Sequence, residues 1–98
     1  MKYRGRAEIN TEILAIASGG SVTRTRIMFK SFLSHIQAKE YLTVLTERGL
    51  LRYDGETKTY RTTERGLSVL QAYKELFELT KGIVLKEVTT THVVSELN

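Results

Sequence analysis

The most restrictive feature of this chain is the order of elements predicted for residues 23–61: helix, turn, helix, and then a charged β-hairpin. Thr23 and Ser34 are suitable N-caps for the two helices, because their side-chain oxygens can accept hydrogen bonds from the free N–H groups of a helix start. Gly49 predicts the end of the second of these helices, in the left-handed conformation that glycine tolerates best. Asp-Gly at 54–55 is a strong turn signal between two short strands.

The apolar spacing outside this stretch predicts two more helices, one over about 7–18 and one from Thr63 to about Lys81. The sequence therefore predicts a fold that is mainly α with a small β-hairpin, namely a winged helix-turn-helix with a long C-terminal dimerisation helix. The positions expected to face the core of the first three helices are Ile9, Ile13, Ile16, Ala17; Ile27, Met28, Phe32; and Ala38, Tyr41, Leu42, Leu45.

Composition restricts the chain to a few classes. It has 98 residues, enough for one small domain, and 41% of them are hydrophobic. There is no cysteine, which excludes disulfides and thiolate metal sites. No apolar run approaches the ~20 residues of a membrane span, and no apolar segment follows the basic N-terminus as in a secretory signal. These features are compatible with a cytoplasmic protein.

Positive charge is concentrated in the first part of the chain. Residues 1–62 hold 11 Lys/Arg and 6 Asp/Glu, whereas residues 63–98 hold 4 and 5. A basic half favours a polyanionic partner, although an ordinary solvated surface would also fit this modest excess. We expect residues 1–62 to form a DNA-binding module and residues 63–98 to form a dimerisation helix and tail.

The last helix has two adjacent apolar stripes, and a helix with so wide an apolar surface normally has two neighbours. One stripe can pack on its own module, and the other is most simply covered by the same helix of a second copy. Residues after Gly82 are rich in β-branched side chains and allow no firm assignment. The residues predicted at the dimer interface are Val69, Tyr73, Leu76, Phe77 and Leu79.

The start of the helix after the turn carries polar side chains that suit DNA bases. Ser34, His35, Gln37 and Lys39 are the predicted base-contacting residues, because Gln can pair with adenine and the others can donate to or accept from base edges. A capped, solvated helix start is the alternative. Ile36 has no evident inward place, so it would contact a thymine methyl group or lie on the surface.

Six cations are predicted to contact the DNA backbone. Three lie on the first helix of the motif and three on the hairpin, where they would meet phosphates or enter a minor groove. The alternative for the hairpin is that charges protect exposed strand edges from pairing. A basic arm at the N-terminus, with Lys2, Arg4 and Arg6, would track phosphates or stay solvated. The six cations are Arg24, Arg26, Lys30, Arg52, Lys58 and Arg61.

The sequence gives little support for catalysis, a metal or a cofactor. Ser34 and His35 are adjacent on a helix, so their side chains point in different directions and do not form a nucleophile–base pair. The two histidines and the scattered carboxylates show no metal-ligand spacing. Gly19-Gly20 lacks the lysine and the spacing of a phosphate-binding loop.

The combined pattern resembles the small archaeal winged-helix DNA-binding regulators, a group that includes chromatin-associated coiled-coil dimers. This resemblance implies a winged helix, a long last helix, dimerisation through an antiparallel coiled coil, and DNA binding. The resemblance covers about residues 3–80. The matching segments are residues 23–30, residues 32–37, Tyr41-Leu42, Leu45, residues 49–51 and residues 60–66.

We therefore expect a cytoplasmic, nucleoid-associated homodimer that binds double-stranded DNA as a transcriptional regulator or architectural protein, without a cofactor. The alternative is a winged-helix adaptor that binds other proteins, since a fold does not determine a function. Basic residues on both the base-contacting helix and the hairpin favour DNA, because an adaptor would present apolar residues there.

Overall fold

The computed structural model describes residues 4–79 and shows four helices and a three-stranded antiparallel sheet within them. The predicted winged helix-turn-helix fold, mainly α with a small β-hairpin, is confirmed. Lys2 and the tail from residue 80 lie outside the described residues. In chain order the elements are α1 (Arg6–Ile16), β1 (Val22–Thr23), α2 (Arg24–Ser31), α3 (His35–Glu47), β2 (Leu51–Asp54), β3 (Thr59–Thr62) and α4 (residues 64–79).

The predicted helix signals lie where expected. The Thr23 hydroxyl accepts a hydrogen bond from the Arg26 N–H at 3.2 Å, and the Ser34 hydroxyl accepts one from the Gln37 N–H at 3.1 Å. Gly49 has φ 75°, so it ends α3 in the left-handed region that a side chain would disfavour. Each signal acts within one helical turn, which is why the residues alone predicted it.

The core lies between the first three helices, the sheet and the start of α4. β3 is anchored to α1, since the Thr62 N–H donates to the Ala17 carbonyl at 3.0 Å and its hydroxyl donates to the Leu14 carbonyl at 2.7 Å. These bonds fix the hairpin relative to the helices. The buried apolar residues are Ile9, Ile13, Leu14, Ala17, Ile27, Leu33, Ala38, Leu42, Leu45, Leu51 and Leu70.

The sheet contains a strand that the sequence did not predict. Val22 and Thr23 form β1, which pairs antiparallel with β3, so that the order is β1-β3-β2. Val22 lies opposite Tyr60, and Tyr60 lies opposite Tyr53. Two residues are too few to show strand periodicity, so only their pairing with β3 identifies them as a strand.

The prediction that Phe32 faces the core is wrong. α2 ends at Ser31, and Phe32 takes the left-handed conformation at φ 57° and ψ 44°. This turn leaves Phe32 84% exposed and places Leu33 in the core instead. The prediction assumed that the helical spacing continued for one more residue.

α4 is closely attached to the end of α3. The Thr63 hydroxyl accepts from the Gly66 N–H at 3.0 Å and donates to the Gly49 carbonyl at 2.7 Å. Leu70, one turn further, is buried, so the first two turns of α4 contribute to the core. The division of the chain at residue 62 stays a prediction.

Candidate nucleic-acid interface

The first turn of α3 is exposed and held by a reciprocal cap. While Ser34 accepts from the Gln37 N–H, the Gln37 side-chain oxygen accepts from the Ser34 N–H at 3.0 Å. Ser34, His35, Gln37 and Lys39 are all exposed. In this state the Gln37 amide NH2 group makes no hydrogen bond within the described part of the chain, whereas its oxygen already has one partner.

A groove of ≈ 820 Å³ runs beside α3 and separates the four predicted base-contacting residues into two groups. Gln37 and Lys39 line this α1–α3 groove, together with Arg6 and Asn10 of α1. Ser34 and His35 lie outside it, at the helix start.

Sequence reasoning missed part of the exposed face of α3. Ile36, Glu40 and Thr43 are exposed and follow the spacing i, i+4, i+7, so they share the face opposite the buried Ala38 and Leu42. Ile36 is 69% exposed and has no inward contact. The sequence already indicates that Ile36 faces outward, and a helical projection of α3 from its N-cap would have found Glu40 and Thr43 as well.

The three predicted backbone-contacting cations of α2 point in two directions. Arg24 lies near Tyr60 of the sheet, where its charge acts on the Tyr60 phenol. Arg26 and Lys30 instead line a second groove, of ≈ 670 Å³, between α1 and α2. Phe29 and Phe32 line the same groove.

The hairpin formed by β2 and β3, the wing, carries the other three predicted cations. Arg52 and Arg61 are direct cross-strand partners, and both are exposed. Like charges directly opposite each other destabilise a sheet. Within the described residues, neither guanidinium is paired with a carboxylate. The pair is therefore suited to an anion supplied from outside.

The wing tip holds Lys58 in an unusual conformation. Lys58 has φ 57°, a region that residues with a side chain seldom occupy, and it is exposed. Asp54 shapes the same turn, because its carboxylate accepts from the Glu56 N–H at 2.9 Å. The Asp54 charge is thus engaged by backbone donors, whereas the Lys58 ammonium is directed at solvent.

Two tyrosines extend the core side of the wing. The Tyr53 and Tyr60 rings lie 4.8 Å apart between centroids, tilted by 48°. Burial raises the pKa of the Tyr60 phenol, the positive charge of Arg24 lowers it, and Tyr53 raises it; the net shift is upward. Tyr60 therefore stays a neutral hydrogen-bond donor at physiological pH.

α4 presents apolar side chains beyond the core. Leu76 is 51% exposed and Leu79 is 72% exposed, and they lie on one flank of the helix. Tyr73 and Phe77 stack on each other, with nearly parallel rings 6.2 Å apart between centroids, and Phe77 is itself 40% exposed. Val69, also predicted at the dimer interface, packs partly against the core of its own chain.

The structure also locates Arg4 and the adjacent Ser34 and His35. Arg4 forms an ion pair with Glu12, so this part of the predicted basic arm is neutralised. The Ser34 hydroxyl accepts a hydrogen bond in the helix cap. The side chain of His35, the next residue, does not face it, because adjacent residues at a helix start point in different directions. Residues 4–79 contain no group of three or more potential metal ligands and no helix long and apolar enough to cross a membrane.

A winged helix-turn-helix family model matches residues 3–81. Among solved structures, the chain is similar to Sso10a-2, a DNA-binding protein from Sulfolobus solfataricus, with a TM-score of 0.74 and 25% identity over 96% of each chain. It is also similar to the M. tuberculosis transcriptional regulator MosR, with a TM-score of 0.56 and 16% identity over 97% of this chain and 78% of that one. The chain is similar as well to Lactococcus lactis ZitR, with a TM-score of 0.58 and 16% identity over 99% of this chain and 79% of that one. These last two likenesses concern the fold alone. No curated protein matches the chain.

Proposed function

Because this chain belongs to the winged helix-turn-helix family, we propose that it binds double-stranded DNA as a homodimer. The first turn of α3 would enter the major groove, and the wing would hold the flanking phosphates. The observation that carries this proposal is the Arg52–Arg61 pair on the wing, because the two residues are exposed cross-strand partners and neither guanidinium meets a carboxylate within residues 4–79.

The exposed start of α3 supports the same proposal. Gln37 and Lys39 present amide and ammonium donors, and Ile36 adds an apolar contact suited to a thymine methyl group. Sso10a-2, which is described as DNA-binding, is similar to this chain over nearly the whole length of both. The coarse activity is therefore duplex binding, and the finer role is that of a regulator or architectural protein acting at the nucleoid without catalysis.

A dimer is supported by the outer flank of α4. Leu76 and Leu79 are exposed on a helix whose Val69 and Leu70 already pack in the core of their own chain. Burial of a leucine is worth very roughly 1.5–3 kcal/mol, so pairing two copies would stabilise both chains. Two α3 helices at a fixed separation would then favour a two-fold symmetric DNA site.

The test is a titration of random-sequence duplex DNA at several salt concentrations. If a dimer neutralises on the order of six phosphates, the slope of log K against log salt is about −5. A protein that fails to bind duplex even at low salt would leave the adaptor function as the better explanation. If the protein does bind duplex DNA, selection of bound fragments from random duplex DNA would identify the preferred site.

A further inference from the structure

The α1–α2 groove carries two phenylalanines that the fold does not use. Phe29 is 81% exposed and Phe32 is 84% exposed, and both line this groove with Ile16. Because both side chains line the same groove, they place two aromatic rings beside α1. Scattered exposed apolar residues are ordinary, whereas two adjacent phenylalanines at a groove form a binding surface.

Phe32 is unfavourable to its own chain in two ways. Its backbone adopts φ 57° and ψ 44°, where glycine or asparagine would fit with less strain, and its ring lies in water. Within the described residues, no packing of the ring offsets either cost. A compensating contact would therefore come from outside residues 4–79.

The charges around the phenylalanines indicate the chemistry of that contact. Arg26 and Lys30 line the groove at i, i+4 spacing, where like charges repel each other. In the described part of the chain neither side chain has a carboxylate partner. Glu12, which also lines the groove, is already paired with Arg4. The groove is thus positively charged and carries two exposed aromatic side chains along its edge.

We propose that the α1–α2 groove binds an acidic segment of a partner protein that carries apolar side chains on one helical face. Acidic groups would meet Arg26 and Lys30, and apolar side chains would pack on Phe29 and Phe32. The volume of ≈ 670 Å³ has room for a few side chains. DNA fits this surface less well, because a phosphate needs the cations but leaves the two phenylalanines in water.

The groove adjoins the first turn of α3, which the proposed function places on DNA, and it holds Arg26 and Lys30, two of the six cations that the sequence predicts at the DNA backbone. Phe32 lies two residues before the cap residue Ser34, whereas the wing follows α3 in the chain. A partner in the groove would therefore be held beside the start of α3. The proposal does not depend on DNA binding, because the peptide and the duplex are measured separately.

The probe is a short synthetic peptide with Leu and Phe on one helical face and Glu on the other, followed by fluorescence anisotropy with the full chain. Two control peptides have Gln for every Glu, or Ser for every Leu and Phe. We expect the acidic apolar peptide to bind and both controls to bind at least about tenfold more weakly.

Variants of the chain complete the test. Phe29→Ala and Phe32→Asn should each weaken peptide binding about tenfold, and Arg26→Gln with Lys30→Gln should weaken it and reduce its salt dependence. Phe32→Asn should also raise the unfolding temperature, because asparagine tolerates the left-handed conformation; loss of binding then cannot be loss of fold. Val44→Ala, an exposed apolar residue on α3, should bind as the unaltered chain does.

Four results would overturn the proposal. The first is that the unaltered chain does not bind the peptide, and the second is that peptide binding survives replacement of both phenylalanines. The third is that the phenylalanine variants weaken binding to random duplex DNA and leave peptide binding unchanged, which would assign the groove to DNA. The fourth is that these variants lower the mass measured by sedimentation without affecting peptide binding, which would assign the groove to a second copy of the chain.

Discussion

Gln37 has two possible roles at the same atoms. Its side-chain oxygen accepts from the Ser34 N–H in the cap, and a bidentate contact with adenine would use the same oxygen together with the NH2 group. A carbonyl oxygen has two lone pairs, so one residue can do both. The cap then holds the amide in place before DNA arrives, which reduces the entropy lost on binding.

The two roles can be separated by two substitutions. Gln37→Ala should weaken preferred-site binding by on the order of 1 kcal/mol more than random-site binding, because only the preferred site offers the base contact. It should also lower the free energy of unfolding by about 0.5–1 kcal/mol, since the hydrogen bond from the Ser34 N–H to the Gln37 side chain is lost while the Ser34 cap remains. Duplex titrations and chemical denaturation measure these two quantities.

Gln37→Glu is the matched control. Glutamate preserves the cap oxygen and adds a charge that suits a helix N-terminus, so stability should be retained. Binding to both DNAs should fall, because the new charge repels phosphate. Equal losses on both DNAs for Gln37→Ala would remove Gln37 from the base-contacting set.

At the scale of elements, the wing combines a like-charge pair with a turn that positions Lys58. Arg52→Gln with Arg61→Gln should weaken preferred and random duplexes equally and reduce the magnitude of the salt slope by about 2, one for each lost phosphate contact. Thermal stability should stay the same or rise slightly, because the cross-strand repulsion is removed. Titrations at several salt concentrations provide the measurement.

Asp54→Asn is the control for the wing. Asparagine can still accept from the Glu56 N–H, so the turn is preserved, and one negative charge is removed. Duplex binding should therefore become stronger. Weaker binding by Asp54→Asn, with an intact fold, would indicate that the wing does not face phosphate.

The junction of α3 and α4 depends on a glycine. A Cβ atom on Gly66 would lie 2.2 Å from the Leu50 carbonyl oxygen and 2.7 Å from the Thr62 methyl carbon, so backbone would have to move. Gly66→Ala should therefore destabilise the fold by roughly 1–3 kcal/mol, despite the higher helix propensity of alanine. Denaturant unfolding measures this change.

Ser68→Ala, on the exposed side of the same helix, is the matched control. It should leave stability unchanged or raise it by a few tenths of a kcal/mol, as propensity predicts. If Gly66→Ala behaved like Ser68→Ala, the close approach of α4 to the end of α3 would be absent in solution.

At the scale of the whole molecule, the outer flank of α4 determines the proposed assembly. Leu76→Glu places a charge between the proposed partners, so it should dissociate the dimer and sharply reduce duplex affinity, because each half would bind alone. Gln71→Glu adds the same charge on the polar side of α4 and should leave the dimer intact. Sedimentation equilibrium measures both, and an unaltered chain that stays monomeric at tens of micromolar would contradict the dimer.

The features that could be predicted from the residues alone are those that depend on close neighbours along the chain. The caps at Thr23 and Ser34 act within one helical turn, and the left-handed Gly49 is local to the end of α3. The turn after Asp54 is equally local. These signals are sufficient to order the elements of a winged helix-turn-helix, and the apolar spacing of the helices identified most of the core.

Which surfaces those elements share depends instead on how the elements pack in three dimensions. β1 exists because β3 arrives beside it, and Phe32 is exposed because α2 ends one residue earlier than its spacing suggested. The division of the α2 cations, with Arg24 toward the sheet and Arg26 in the α1–α2 groove, also depends on neighbours distant in sequence. Such contacts are set by packing of whole elements, which local propensity does not encode.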